Sequence, residues 1–207
     1  MKVLAVGFGL LLAGACAQGG GQAPVPAGLT VPSSLAAASP QRPWQAHLTW
    51  TVTDVQWPEG AAPFSGVTSD FGGRCAGPSD YVIHAKFEGQ ATHAGTFTGQ
   101  GAHCTQLHMT AEGPGVVTWS DGRGTLVVAD GSTLSLRWGD GTTGFDPGAN
   151  EFWFKDHFTF AGGSGRFVGA TGGGEEGGRF TDFMALLAGT PAPMTMEGTI
   201  SYPAGNH

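Results

Sequence analysis

The chain has 207 residues, 40% of them hydrophobic and only 12% charged, with a formal net charge of −7 at neutral pH. Its nine Lys and Arg are scattered rather than clustered, which argues against a nucleic-acid partner or any other polyanion. Abundant Gly and Thr, with 13 Phe and 6 Trp, point to many tight turns around an aromatic core.

From the N-terminus, Met1-Lys2 precede an apolar run from Val3 to Ala13 and then small residues up to Cys16. One positive charge, a short apolar stretch and a small-residue cleavage site read as an export signal over residues 1–15. The run is too short to cross a bilayer as a helix, which takes about 20 apolar residues, and no later segment is apolar enough to do so. Leu12-Ala13-Gly14-Ala15-Cys16 resembles a bacterial lipobox, with Ala13 where Leu is usual. Cys16 is then the candidate for lipid attachment at the new N-terminus. That places the exported chain in the cell envelope, held to a membrane by acyl chains at about 0.8 kcal/mol per buried methylene. Cleavage after Ala15 or Ala17 without a lipid is the alternative. Residues 16–43 are rich in Ala, Gly, Pro, Ser and Gln, carry Arg42 as their only charge, and read as a tether. A tether of low charge is compatible with docking on a larger envelope assembly.

Residues 44–207 have the length of one domain and read as all-β. Between Trp44 and Val55, Ala46, Leu48, Trp50 and Val52 share one face, and His47, Thr49, Thr51 and Thr53 the other. Further alternating runs lie at 81–88, 92–98, 102–110, 115–119, 124–130, 132–138, 151–160, 165–170, 178–187 and 194–202. Asp130-Gly131 is a strong hairpin signal, and Asp121-Gly122 and Asp140-Gly141 read as further turns. Glu175-Glu176 sits in a Gly-rich stretch that reads as a solvated turn. Many short strands with one apolar face describe a closed antiparallel barrel, which removes exposed edges, or a β-sandwich. Beyond Cys16, Cys75 and Cys104 form an even pair that reads as a disulfide in an oxidising compartment. Closing a loop of about 30 residues is worth roughly 3–4 kcal/mol. Two buried free thiols are the alternative.

Three segments carry a family resemblance. FTFAGGSGRFVGATG at residues 158–172 resembles a recurring signature of allene-oxide-cyclase-like and dirigent-like barrels, in particular the GGTGRFxGATG segment of exported bacterial proteins. ATHAGTFT from Ala91 resembles their ATHLGRFT segment, with Ala94 and Thr96 replacing Leu and Arg. ADGSTL from Ala129 resembles their A-[ND]-G-D-x-L hairpin. The resemblance implies a single eight-stranded antiparallel β-barrel with an interior cavity. It implies no one activity, because a fold does not fix one, and no motif aligns the cyclase's catalytic residues. Gly163, Gly165, Arg166, Phe167 and Gly169 form the turn motif, with Phe167 expected to pack inward. A phosphate-loop reading fails, because no Gly-Lys-Ser/Thr is present and Thr-Gly-Gly-Gly cannot begin a helix.

Strand parity suggests where chemistry could lie. His93 shares parity with Phe97, and Asp156 shares parity with Phe152, Phe154, Phe158 and Phe160. A His and an Asp on apolar faces are costly unless hydrogen-bonded or functional, so His93 and Asp156 form a candidate acid–base pair inside the barrel. The competing reading is that both satisfy backbone groups in the barrel wall. His84, His93, His103 and His108 fall in one stretch and suggest copper or zinc coordination, with Arg74 beside Cys75 as an anion guide. That set would suit a copper-dependent superoxide dismutase. Against it, no HxH pair exists, His84 shares parity with the polar Lys86 and Glu88, and His103 and His108 have opposite parity. The leading expectation is an envelope-attached accessory or binding barrel that could hold a metal. The alternatives are the dismutase and a cavity barrel that binds or isomerises a small apolar molecule such as a lipid, pigment or phenolic.

Overall fold

A computed structural model describes residues 39–56, 75, 81–108 and 116–203. Eight strands run in chain order: β1 (Arg42–Gln56), β2 (Tyr81–Ala91), β3 (Gly95–Leu107), β4 (Val117–Val128), β5 (Thr133–Asp146), β6 (Glu151–Gly163), β7 (Thr171–Phe180) and β8 (Ala192–Ser201). Each pairs antiparallel with the next, and β8 returns to β1, so the sheet closes into a barrel. The expected eight-stranded antiparallel barrel is therefore the fold, and the sandwich is not. A single 3-10 turn (Gly165–Phe167) joins β6 to β7, and the short helix α1 (Phe183–Leu187) joins β7 to β8.

The alternation read in the sequence sets the inner wall. Trp44, Ala46 and Leu48 of β1 are buried while Pro43, Gln45, His47 and Thr49 are exposed. Met194, Met196 and Ile200 of β8 are buried in the same way, and β1 pairs with β8 from Arg42↔Ile200 to Trp50↔Ala192. Most of the inward side chains form one aromatic-rich core with Phe97, Leu126, Leu134, Phe158 and Phe160.

The FTFAGGSGRFVGATG segment closes one end of the barrel. Phe167 is fully buried against Tyr202, their rings 5.2 Å apart, and belongs to the main core. Arg166 ties this turn to two others: its Nη2 donates to the Ala94 carbonyl at 3.0 Å and its Nε pairs with Asp130 at 3.3 Å. The Arg166 backbone N–H donates to Ser132 Oγ. Gly165 sits at φ +57, and a Cβ there would lie 2.3 Å from Ser132 Oγ, so both backbone and space require glycine. The inward Phe167 and the tight turn are as the sequence predicts.

Several sequence expectations are corrected. The 165–170 run is this turn and not a strand. The 178–187 run divides between the end of β7 and α1, because Asp182 caps a helix by accepting from the Ala185 N–H at 3.0 Å. Asp121-Gly122 and Asp140-Gly141 are not turns. β4 and β5 continue through them, with Asp121 at φ 55 and Asp140 at φ 73, and the facing pairs Trp119↔Gly141 and Gly122↔Trp138 leave residues unpaired between them. Asp tolerates positive φ, so the signal that marks a turn also marks a matched irregularity in two neighbouring strands. The Gly-rich stretch around Glu175-Glu176 is β7 itself. A Cβ at Gly174 would meet the Glu197 carbonyl at 1.9 Å, and one at Gly178 the Pro193 carbonyl at 2.2 Å. Glycine is required there by close neighbouring backbone, not by a turn.

Cys75 and Cys104 are joined, with Sγ atoms 1.99 Å apart. They pack with Val82 and Ala102 as a small buried cluster on the outer face of β2 and β3.

Candidate functional site

The half of the barrel away from Phe167 is not filled. A cavity of about 70 Å³ lies there, several times the ~10–15 Å³ that one water needs. Its walls are mainly aromatic and aliphatic, including Trp50, Phe87, Trp119, Trp138 and Phe154, and Phe183, Leu186 and Leu187 of α1 line it as well. Two side chains with strongly shifted acid–base behaviour, His103 and Glu176, reach it.

Glycines seat the two indoles that organise these groups. A Cβ at Gly141 would lie 1.8 Å from the Trp119 ring, and one at Gly122 2.3 Å from the Trp138 ring. Trp138 Nε1 donates to His103 Nδ1 at 3.2 Å. An indole nitrogen can only donate, so Nδ1 is unprotonated and the ring proton sits on Nε2. Trp119 stacks on His103 with ring centroids 5.7 Å apart. Burial, and secondarily the nearby His84, pushes His103 down to about 4, so it is neutral at physiological pH.

Trp119 turns its own Nε1–H toward Asp156 and donates to Oδ2. Asp156 is only 3% exposed and also accepts from the His157 N–H at 2.5 Å and from the Gly139 N–H. Burial lifts it to about 6, and these hydrogen bonds hold it back from rising further. Glu176 stands directly opposite Asp156 on β7. Facing positions on paired strands place side chains within about 5 Å. Burial first, and the Asp156 charge second, push Glu176 up to about 8. Near neutral pH the pair holds one proton, on Glu176, while Asp156 is the anion that the hydrogen bonds support.

The titration has a consequence for stability. Proton uptake by Glu176 on folding contributes stability that is complete below its ordinary value of 4.5 and is lost as pH rises through about 8. Asp156 acts in the same sense between 3.8 and about 6. His103 acts in the opposite sense between about 4 and 6.5, where the unfolded chain binds the extra proton. From pH 7 to 8 only Glu176 among these three contributes appreciably, and the expected loss is about 1 kcal/mol. Urea midpoints at the two pH values should show this fall in the parent chain and a flat response in Glu176→Gln; an equal fall in both would assign it elsewhere.

The sequence-predicted residues are dispersed. Asp156 does face the barrel interior. His93 does not: it lies in the β2–β3 turn at φ 64 and is exposed, because the hairpin needs a residue in the left-handed region there. The proposed His93–Asp156 pair is not formed. His84 was expected in solvent but is buried, 7% exposed, at a β2 position that pairs with Ala102 of β3. His108 is exposed at the end of β3, with Nε2 2.9 Å from Thr118 Oγ1. Among the described residues no group of three or more His, Cys, Asp and Glu converges as a metal site. Cys16 and Arg74 lie outside the described residues. Sequence reasoning missed Glu176. Its signal was period two on β7, where Gly172, Gly174, Glu176, Gly178 and Phe180 share parity, but glycine erases that alternation.

No family model matches this chain, and neither does any curated protein or solved structure.

Proposed function

We propose that this chain is an exported, envelope-tethered barrel whose cavity binds a small molecule with an apolar body and one polar group. The observation that carries this reading is the cavity itself: aromatic walls with Glu176 and His103 as shifted acid–base groups on its lining. A mostly apolar pocket with a few fixed polar groups is the usual form of a small-molecule site. Burial shifts Glu176 and His103 in opposite senses, as desolvation does to an acid and a base, and perturbed groups in clefts mark functional sites. The Cys75–Cys104 bridge supports the extracytoplasmic address, which the mass of the mature N-terminus tests directly.

Trp50, Trp119 and Trp138 all line the cavity, so their fluorescence reports occupancy. A neutral single-ring ligand, 2-phenylethanol, should change that emission saturably. Ala85 is a buried lining residue, and Ala85→Phe should fill the space and weaken binding at least tenfold, with an overpacking cost of about 1–3 kcal/mol in stability. Emission that never saturates, or that Ala85→Phe leaves unchanged, would place the molecule elsewhere and remove the reading.

A further inference from the structure

We propose that the ligand of this cavity is an organic cation: an amine whose ammonium group sits at Glu176 and whose apolar body lies against the aromatic walls. The inference rests on the cavity-binding reading above and names the chemistry of the ligand.

Four observations carry it. Glu176 and Asp156 are facing positions on β7 and β6, so two acids share one desolvated place. Asp156 is already served by Trp119 and by two backbone N–H groups. Among the described residues the Glu176 carboxyl has no hydrogen-bond partner, only the repulsion of Asp156, and it lines the cavity. No described Lys or Arg lines that cavity. His103 accepts the Trp138 N–H and stays neutral, so it cannot serve as the counter-cation.

The walls favour the same ligand. Trp119 lies 6.4 Å from Phe154, Trp50 lies 5.7 Å from Phe154, and Phe87 lies 6.1 Å from Trp138, centroid to centroid. Aromatic faces carry negative potential and attract desolvated cations. A carboxylate ligand would instead add a third acid to a site with no cation. A neutral ligand with an acceptor oxygen could take a proton donor from Glu176, and the test separates that case.

Binding is a proton exchange. The ammonium takes the place of the Glu176 proton, leaving a carboxylate–ammonium pair and one proton released to solvent. The other described titratable groups on the cavity lining are His103 on β3 and Tyr81 on β2, and Asp156 faces Glu176 from β6.

The experiment is calorimetric titration of the purified chain at pH 7 with phenethylamine, 2-phenylethanol and 3-phenylpropanoate, in two buffers of different ionisation enthalpy. Phenethylamine should bind at least tenfold more tightly than the alcohol and release close to one proton, and the carboxylate should bind weakest. Glu176→Gln should lower amine affinity tenfold or more. Alcohol binding as tight as amine binding, or an amine affinity unmoved in Glu176→Gln, overturns the cation assignment while cavity binding stands. Binding of none of the three overturns both. The ligand series on the parent chain decides the matter even if the variant fails to fold.

Discussion

Phe167→Ala should lower stability by about 3–5 kcal/mol, the cost of removing a fully buried Phe, and should lower the melting temperature by roughly 10–15 °C for a domain of this size. Phe167 has no measurable exposure and closes the barrel end against Tyr202. Its turn is held by Arg166, Ser132 and Ser164, so the neighbours cannot easily collapse into the vacated volume. Thermal melts with Val168→Ala beside it supply the contrast: Val168 is 59% exposed, and its loss should stay within about 0.5 kcal/mol. Equal effects at the two positions would show that the turn is not a plug. Binding in the cavity at the opposite half should survive in the folded fraction of Phe167→Ala, because the plug and the site occupy different halves of the barrel.

Replacing both bridge cysteines, Cys75→Ser with Cys104→Ser, should cost about 3–4 kcal/mol through the entropy of a longer-ranging unfolded chain. The bridge joins positions 29 apart in sequence. The checking measurement is the urea midpoint of the parent with and without dithiothreitol, beside that of the double variant. Reduction and substitution should agree; a loss below about 1 kcal/mol in both would mean that the closed loop contributes little to the unfolded ensemble. The bridge also bears on the site. Cys104 follows His103 directly on β3, and the β3–β4 register shifts between Ala102 and Cys104, where His103 turns to the cavity. The double variant should therefore also change the Trp119 and Trp138 emission, since both indoles contact the His103 ring.

The placement of the acids gives the molecule its asymmetry. Trp44, Phe97, Phe158 and Phe160 belong to the main core, and the cavity lies where Trp119 and Trp138 lean on glycines. The shifted acid–base groups Glu176 and His103 stand on the cavity lining. This is the division expected when a site is carried on a rigid scaffold.

The sequence by itself determined the strands whose apolar alternation is long and unbroken, β1 and β8 above all. The alternation in β1 and β8 predicts the buried residues directly, and the same period places Asp156 inside among the phenylalanines of β6. It also determined the Asp130-Gly131 hairpin and the tight turn that buries Phe167, because each is a local matter of backbone chemistry, and the even cysteine count pointed to the bridge that the structure forms. Only the tertiary structure decided that Glu176 faces the interior, that His93 does not, and that His84 is covered. Glycines have no side chain to alternate, so β7 was silent. A left-handed residue is invisible to strand parity, so His93 was misplaced. Burial of His84, on the same parity as the exposed Lys86 and Glu88, has no signature in the alternation of β2. The cavity is a non-local property of the same kind. It exists because β8 returns to β1 and because two indoles rest against glycines on neighbouring strands, and neither relation has a signature within any one stretch of the chain.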